Sequence, residues 1–511
     1  LIEQDMNGEL SEGWEVACIG EICHVNPPKV SNSVLGDDAE VTFVPMPAID
    51  AFSGTIFLPE SREFAKVRKG YTSFIENDVL FAKITPCMEN GKAAIARQLL
   101  NGYGFGSTEY HVLRTTSAII PEFIYHFIRQ DTFRKAAREE MSGSVGQLRV
   151  PPDFLSGFQI HIPPLAEQYR IVEKIDVLLS QVNATKVRLA RVPDIMKKFR
   201  QSVLSAACSG RLSADWREQH PDTEPASALL ERIRTERKAA LGKKYQEPEP
   251  IDTEDLPELP EGWCWTHLNE LAAVEANAIT DGPFGSNLKT CDYTSSGPRV
   301  IRLQNIGDSV FHDHHAHISE DHYIRLKKHW VEAGDLVIAA MGAPPPRACI
   351  VPEHIGPAVV KADCVRFKPA PSVASAQFLG FALNTDMIKN LAASVVHGVS
   401  RPRLNLGEVK QIQLPLAPLE EQQEIVRRVD ALLKLANAIE TRVLLATTSA
   451  DKLTQAVLAR AFRGELVPTE AELARIEGRD YEPASVLLER VRKERETSSK
   501  PNKTRKTRKS G

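Results

Sequence analysis

Asn26-Pro27-Pro28-Lys29 is the first segment whose residue types invite chemistry. An Asn-Pro-Pro turn followed by an aromatic ring can hold a base swung out of a duplex, the ring stacking on the extruded base. Lys29 stands where that ring is needed, and no Gly-rich loop follows a strand nearby, so a plain loop is expected here. The second segment is His312-Asp313-His314-His315-Ala316-His317, with His322 and His329 beyond it. Alternating imidazoles on a strand can ligate a metal. No thiol or carboxylate constellation completes the set, so a solvated or nucleic-acid-facing loop is expected and no metal. The G-x-x-x-x-G-K-[ST], G-x-S-x-G and H-E-x-x-H patterns are absent from the sequence. The chain is therefore expected to have no catalytic residues and to be no enzyme.

Chemistry that is not catalytic needs a scaffold, and here the scaffold is written twice. LSEGW at 10–14 returns as LPEGW at 259–263, and PLAEQYRIVEKIDVLL at 164–179 returns as PLEEQQEIVRRVDALL at 418–433. From 164 to 212, 19 of 49 positions recur at a constant offset of 254. EPASALLERIRTER at 224–237 returns as EPASVLLERVRKER at 482–495. In each copy a mixed region precedes a helical one. Apolar runs such as DVLFAKI (78–84) and DLVIAAM (335–341) lie among Gly, Pro and Asn turns, which predicts strands and loops. In the helical regions apolar residues recur at steps of three and four. Leu165, Ile171, Ile175, Leu178 and Val182 form one packing stripe, and Leu419, Ile425, Val429 and Leu432 the other. Pro193 should kink or restart the first helix, where the second copy has Thr447. Neither stripe can stay in water, so each needs a partner, and the other copy is the nearest candidate.

Polar loops in the mixed regions hold the residue types that contact nucleic acid, namely Arg, Lys, Asn, Gln, Ser and Thr. Ahead of the first helical region these are Ser144, Gln147 and Arg149, and ahead of the second Ser400, Arg401 and Arg403. The Asn90-Gly91 turn segment adds Lys83, Thr85, Asn90 and Lys92. The second copy adds Asn287 and Lys289 in a Gly-bracketed loop, with Arg302, Gln304 and Asn305 after it. The same side chains could instead hold turns together.

The duplicated P-L-x-E-Q junctions, with KITPCMENGKAAI (83–95), GFGSTEYHVLR (104–114), TDGPFGSNLK (280–289) and VIRLQNIG (300–307), resemble specificity subunits of type I restriction–modification systems over essentially the whole chain. The resemblance implies an α+β (mixed α/β) fold: two tandem target-recognition domains joined by two long antiparallel coiled-coil spacer helices, with pseudo-two-fold symmetry. The expected boundaries are 1–163 and 259–417 for the two readers, and 164–246 and 418–497 for the helical spacers. A linker spans 247–258 and a basic disordered tail 498–511. Its implied partners are double-stranded DNA, two modification subunits that bring S-adenosylmethionine and methylate adenine N6, and restriction subunits that use ATP and Mg. No cofactor is expected on this chain. Two unlike readers at a fixed separation would recognise a bipartite, asymmetric target.

The 511 residues exceed one core, and 42% hydrophobic with 25% charged residues describes a globular protein. A net charge of −4 means that any DNA surface must be a local patch. Eight scattered cysteines without a C-x-x-C pair read as reduced thiols, and a cytoplasmic location is expected. No apolar run reaches membrane-span length, the first residues lack a signal-peptide pattern, and an initiator or short leader is expected ahead of Leu1. Two alternatives stand beside the DNA-reading one: a helical scaffold whose mixed domains bind protein, and a solitary DNA methyltransferase.

Overall fold

The computed structural model describes residues 10–31, 35–144, 146–342, 344–394 and 402–498. Ser400, Arg401 and residues 499–511 of the basic tail lie outside the described residues. The chain forms two compact units, one of residues 1–190 with 444–511 and the other of residues 191–443. The units do not follow the order of the repeat.

Each unit contains one reader built on the same plan. In the first, an antiparallel sheet runs in the order Cys23–Val25, Tyr110–Thr115, Val79–Ala82, Ala93–Ile95. In the second the order is Ile279–Asp281, Cys364–Phe367, Leu336–Ala339, Arg347–Ile350. The inner strands 79–82 and 336–339 are buried at every residue, which is why DVLFAKI and DLVIAAM are unbroken apolar runs rather than alternating ones. A second four-stranded sheet in each reader contains one parallel pair, 40–44 with 103–106 and 293–301 with 358–360. A two-stranded ribbon, Glu15–Cys18 with Gln159–Ile162 or Cys264–His267 with Gln413–Leu416, brings each reader's ends together. From there the chain enters a long helix.

The first helical region is α1 (Leu165–Leu189) followed by α2 (Val192–Cys208), with Pro193 in the opening turn of α2. Proline is tolerated there because the first helical N–H groups have no intrahelical partner. A further helix, α3 (Ala226–Leu241), ends the region, and residues 245–263 carry no helix or strand. The second copy is a single 44-residue helix, α4 (Leu419–Phe462), and later α5 (Ala484–Ser498).

In the first unit α1 packs antiparallel to the end of α4. Ile171, Val172 and Ile175 share a core with Val457, Leu458, Ala461 and Phe462, and Lys186 pairs with Asp451 at 2.6 Å. In the second unit α2 packs antiparallel to the start of α4. There Val203 and Leu204 share a core with Ile425 and Val429, and Arg200 reaches Glu440 at 2.7 Å. Much of the predicted stripe is thus buried with its own reader as well as with a second helix: Ile171 and Ile175 share their core with Phe123 and Ile160, and Val429 shares its core with Leu414. Leu165, Leu178, Leu419 and Leu432 pack at the margin of those cores, and Val182 is buried.

Candidate DNA interface

The repeated sequence motifs meet at the foot of each reader. The Gly of L-x-E-G-W has φ +86° at Gly13 and +82° at Gly262, a backbone region that costs other residues strain. It closes a turn in which Trp14 N–H donates to Ser11 O, and Trp263 N–H to Pro260 O. The indole that follows donates to the buried glutamate of P-L-x-E-Q: Trp14 Nε1 to Glu167 Oε1 and Trp263 Nε1 to Glu421 Oε2, both at 2.8 Å. The adjacent glutamine is equally buried. Gln168 donates to the carbonyls of Ala118 and Pro163 and accepts from Ile120 N–H. Gln422 does the same with Val373 O, Ala417 O and Ser375 N–H. Burial pushes the Glu167 carboxyl up, against the opposing pull of the Glu470 N–H and the Trp14 indole. Leu-x-Glu-Gly-Trp and Pro-Leu-x-Glu-Gln are therefore two halves of one clamp.

Above that foot, the loop ahead of the first helical region is a β-hairpin, Ser142–Ser144 with Gln147–Arg149. Gly146 sits at φ +83° in its tip, where a left-handed residue lets the two strands close. Ser144 and Gln147 are exposed. Thr85 clasps the hairpin: its N–H donates to Leu148 O at 3.1 Å and its Oγ1 accepts from Leu148 N–H at 3.2 Å. His111 fixes the strand beyond it. Burial lowers His111, and the neutral ring donates from Nε2 to Val150 O at 2.8 Å and accepts at Nδ1 from the Asn26 amide at 2.9 Å. Asn26 itself has φ +51° and also pairs with Val112 through its backbone and side chain. The Asn-Pro-Pro segment is thus a bracket behind the hairpin.

A hairpin presented by a doubled fold suits a reader of two sequences, and comparison with known proteins decides the matter. The profile of the "Type I restriction modification DNA specificity domain" matches residues 11–193 and 317–446. The type I restriction enzyme EcoAI specificity subunit of Escherichia coli is 30% identical over 519 residues, covering 90% of this chain and 84% of that one. The chain belongs to the type I restriction–modification specificity subunits. Its fold is also that of solved relatives at 19% identity. A chain from the structure described as the basis of complex assembly and conformational transition of the type I R-M system has a TM-score of 0.63, with 90% of this chain and 100% of that one covered. The HsdS subunit from Thermoanaerobacter tengcongensis has a TM-score of 0.50 over the same shares.

Within this specificity subunit the candidate contacts separate by what already holds them. Lys83 is half-buried on the strand beside the hairpin, and Asn90 is exposed in the Asn-Gly turn. Gln304, Asn287 and Lys289 are exposed in the second reader. Arg149 and Arg403 are about two-fifths exposed, and each is ion-paired. Four of the expected contacts are engaged within the protein. Asn305 is buried, donating to His312 O and His314 O and accepting from Arg302 N–H, so it shapes the histidine loop and cannot face a groove. Arg302 spends one N–H on His315 O and lies over the Tyr293 ring. Lys92 donates to Met46 O at 3.0 Å. Thr85 is the hairpin clasp already described.

Three of the histidines are held by main-chain carbonyls. His317 donates to Gly297 O, His322 to Asn287 O and His329 to Asp281 O. Among the described residues no three His, Cys, Asp or Glu side chains converge as metal ligands, and no helix is long and apolar enough to cross a membrane. The eight cysteines are free thiols.

Proposed function

We propose that this subunit reads a bipartite, asymmetric DNA target, one half with residues 10–163 and the other with 259–417, and that it does so without a catalytic site of its own. The observation that carries the reading is the repetition of one strand frame in both readers under different side chains. Lys83 and Thr85 in the first correspond to Ala340 and Gly342 in the second, and each corresponding pair makes the same backbone hydrogen bonds, so one frame carries two sets of side chains. Base contact is assigned to Ser144, Gln147, Arg149, Asn90, Lys83, Asn287, Lys289, Gln304 and Arg403. Ser400 and Arg401 belong to the same proposal on their sequence position.

The helical regions 164–246 and 418–497 are assigned to setting the half-site separation and docking two modification subunits. Apolar residues left in solvent on the helices favour docking: Tyr169 and Val177 on α1, and Leu444 and Leu445 on α4, are 48–69% exposed. S-adenosylmethionine and adenine-N6 methylation then belong to those partners, and ATP with Mg to a restriction subunit. Mobility-shift assays on random-sequence DNA, with and without the modification partner, test the reading. Selection of one split sequence is expected, and protein binding without sequence preference would favour a scaffold instead.

Two outcomes are expected, one from a substitution and one from an insertion. Arg403→Ala should cost about 1–3 kcal/mol of discrimination at one target position. A uniform loss on every sequence would reassign Arg403 to a phosphate. Inserting four residues near Thr185 adds about 6 Å of helix. The unread gap is then expected to lengthen by about two base-pair steps of roughly 3.4 Å, and an unchanged gap in methylation mapping would remove the spacer role.

A further inference from the structure

Arg149 and Arg403 occupy the same place in the two readers, 254 residues apart, and so do the acids that hold them, Glu109 and Asp363. Each acid sits on the turn entering a central strand, 110–115 or 364–367. The surrounding backbone frame is duplicated bond for bond. Glu109 O accepts from Lys83 N–H and Asp363 O from Ala340 N–H, both at 2.9 Å. Lys83 O accepts from Val150 N–H, and Ala340 O from Leu404 N–H. The arginines bridge to matching partners, Ile84 and Met341. In the first reader the pairing is bidentate: Arg149 Nε to Glu109 Oε2 at 2.9 Å and Nη2 to Oε1 at 2.8 Å, with Nη1 donating to Gln147 O at 3.0 Å. In the second, Arg403 Nε lies 2.8 Å from Asp363 Oδ1 as an ion pair without hydrogen-bond geometry, and the guanidinium lies over the Phe284 ring.

We propose that Glu109 and Asp363 are positioning residues that fix Arg149 and Arg403 as base-reading arginines, one in each half of the target. The inference rests on the DNA-reading assignment above and adds how the arginines are aimed. A guanidinium has five N–H donors. Glu109 and Gln147 engage three of those of Arg149, which leaves two on a side chain that is 41% exposed. A half-exposed ion pair contributes little to stability, so holding the fold does not account for its being kept. Side chains around it differ, Lys83 against Ala340 and Thr85 against Gly342, and the acid itself is one methylene shorter in the second copy, yet the ion pair is remade. A neutralised arginine also adds little to phosphate attraction. Rigid, charge-compensated and half-exposed, it suits bidentate recognition of guanine O6 and N7 rather than the backbone.

The test uses the full chain co-expressed with its modification subunit, comparing wild type with Glu109→Gln and Asp363→Asn. Each change keeps the side-chain size and releases the arginine's charge. Glu109→Gln is expected to relax one G·C pair in one half-site by at least about fivefold and to leave the other half-site unchanged. Non-specific affinity should rise, and the slope of log affinity against log salt should steepen by about 0.9. Asp363→Asn should do the same to the other half-site. Glu109→Asp should restore discrimination, whereas Arg149→Lys, which keeps the charge but loses the fork, should relax the same base pair as Glu109→Gln. An unchanged methylation motif in both acid variants would overturn the proposal. So would a uniform loss over both half-sites with the wild-type salt slope, the signature of a merely structural pair. A wild-type complex with no split target would instead overturn the DNA-reading assignment beneath it.

Discussion

Glu421→Ala is expected to destabilise the second unit by about 3 kcal/mol, toward the lower end of the range for breaking a buried charge pair because water still reaches Arg217. Glu421 is fully buried, and every partner it has is lost together. Oε1 accepts from Arg217 Nη2 at 2.8 Å and from Ser213 Oγ at 2.6 Å, and Oε2 accepts from the Trp263 indole. Removing the carboxylate strands an indole N–H and a hydroxyl away from water and leaves a guanidinium without its counter-charge. Glu421→Gln keeps an acceptor for Trp263 and should lose less. Urea unfolding followed by tryptophan fluorescence reads both, and a loss under about 1 kcal/mol for the alanine variant would show that the clamp is not what joins reader to helix.

Ser144→Ala with Gln147→Ala carries the second large effect, on recognition rather than on folding. Both side chains are exposed on the 142–149 hairpin, whose backbone is held by Thr85 and His111 without their help. The doubly substituted hairpin should therefore keep its shape. Each lost base contact is worth about 1–3 kcal/mol of discrimination. Half of the target should become degenerate at up to two positions while unfolding stays within about 0.5 kcal/mol of wild type, as for other surface changes. Methylation mapping and unfolding curves check the two sides, and an unchanged motif would move base readout off this hairpin.

Much of this molecule is legible in its sequence, because a duplication announces itself in spacing. The strand runs at 79–82 and 336–339, the helix restart at Pro193 and the apolar stripes all follow from local pattern. The clamp was not legible as a contact: Trp14 and Glu167 are 153 residues apart, and repetition marks both motifs without saying that they touch. The composition of the units was hidden for a similar reason. Ala484 N–H donates to Gly13 O and Ala226 N–H to Gly262 O, so the EPAS helices close the first and second readers respectively, against their order in the repeat. At the interface, residue type could not separate a turn's inward side chains from its outward ones. Asn305 and Lys92 face carbonyls, whereas Gln304, its neighbour, is exposed. Glu109 and Asp363 do not stand out by residue type, because acids are poor candidates for touching DNA. The signal was there, in an offset of 254 that holds for the acids as well as for the arginines.

The central claim is that one chain carries two different readers of one split DNA site. Methylome sequencing of cells expressing this chain with its modification subunit tests it most directly. The expected result is a single asymmetric motif of two specified segments around a fixed gap of unread bases, with methylated adenine in the motif. A continuous palindromic motif, or methylation without sequence preference, would contradict the account.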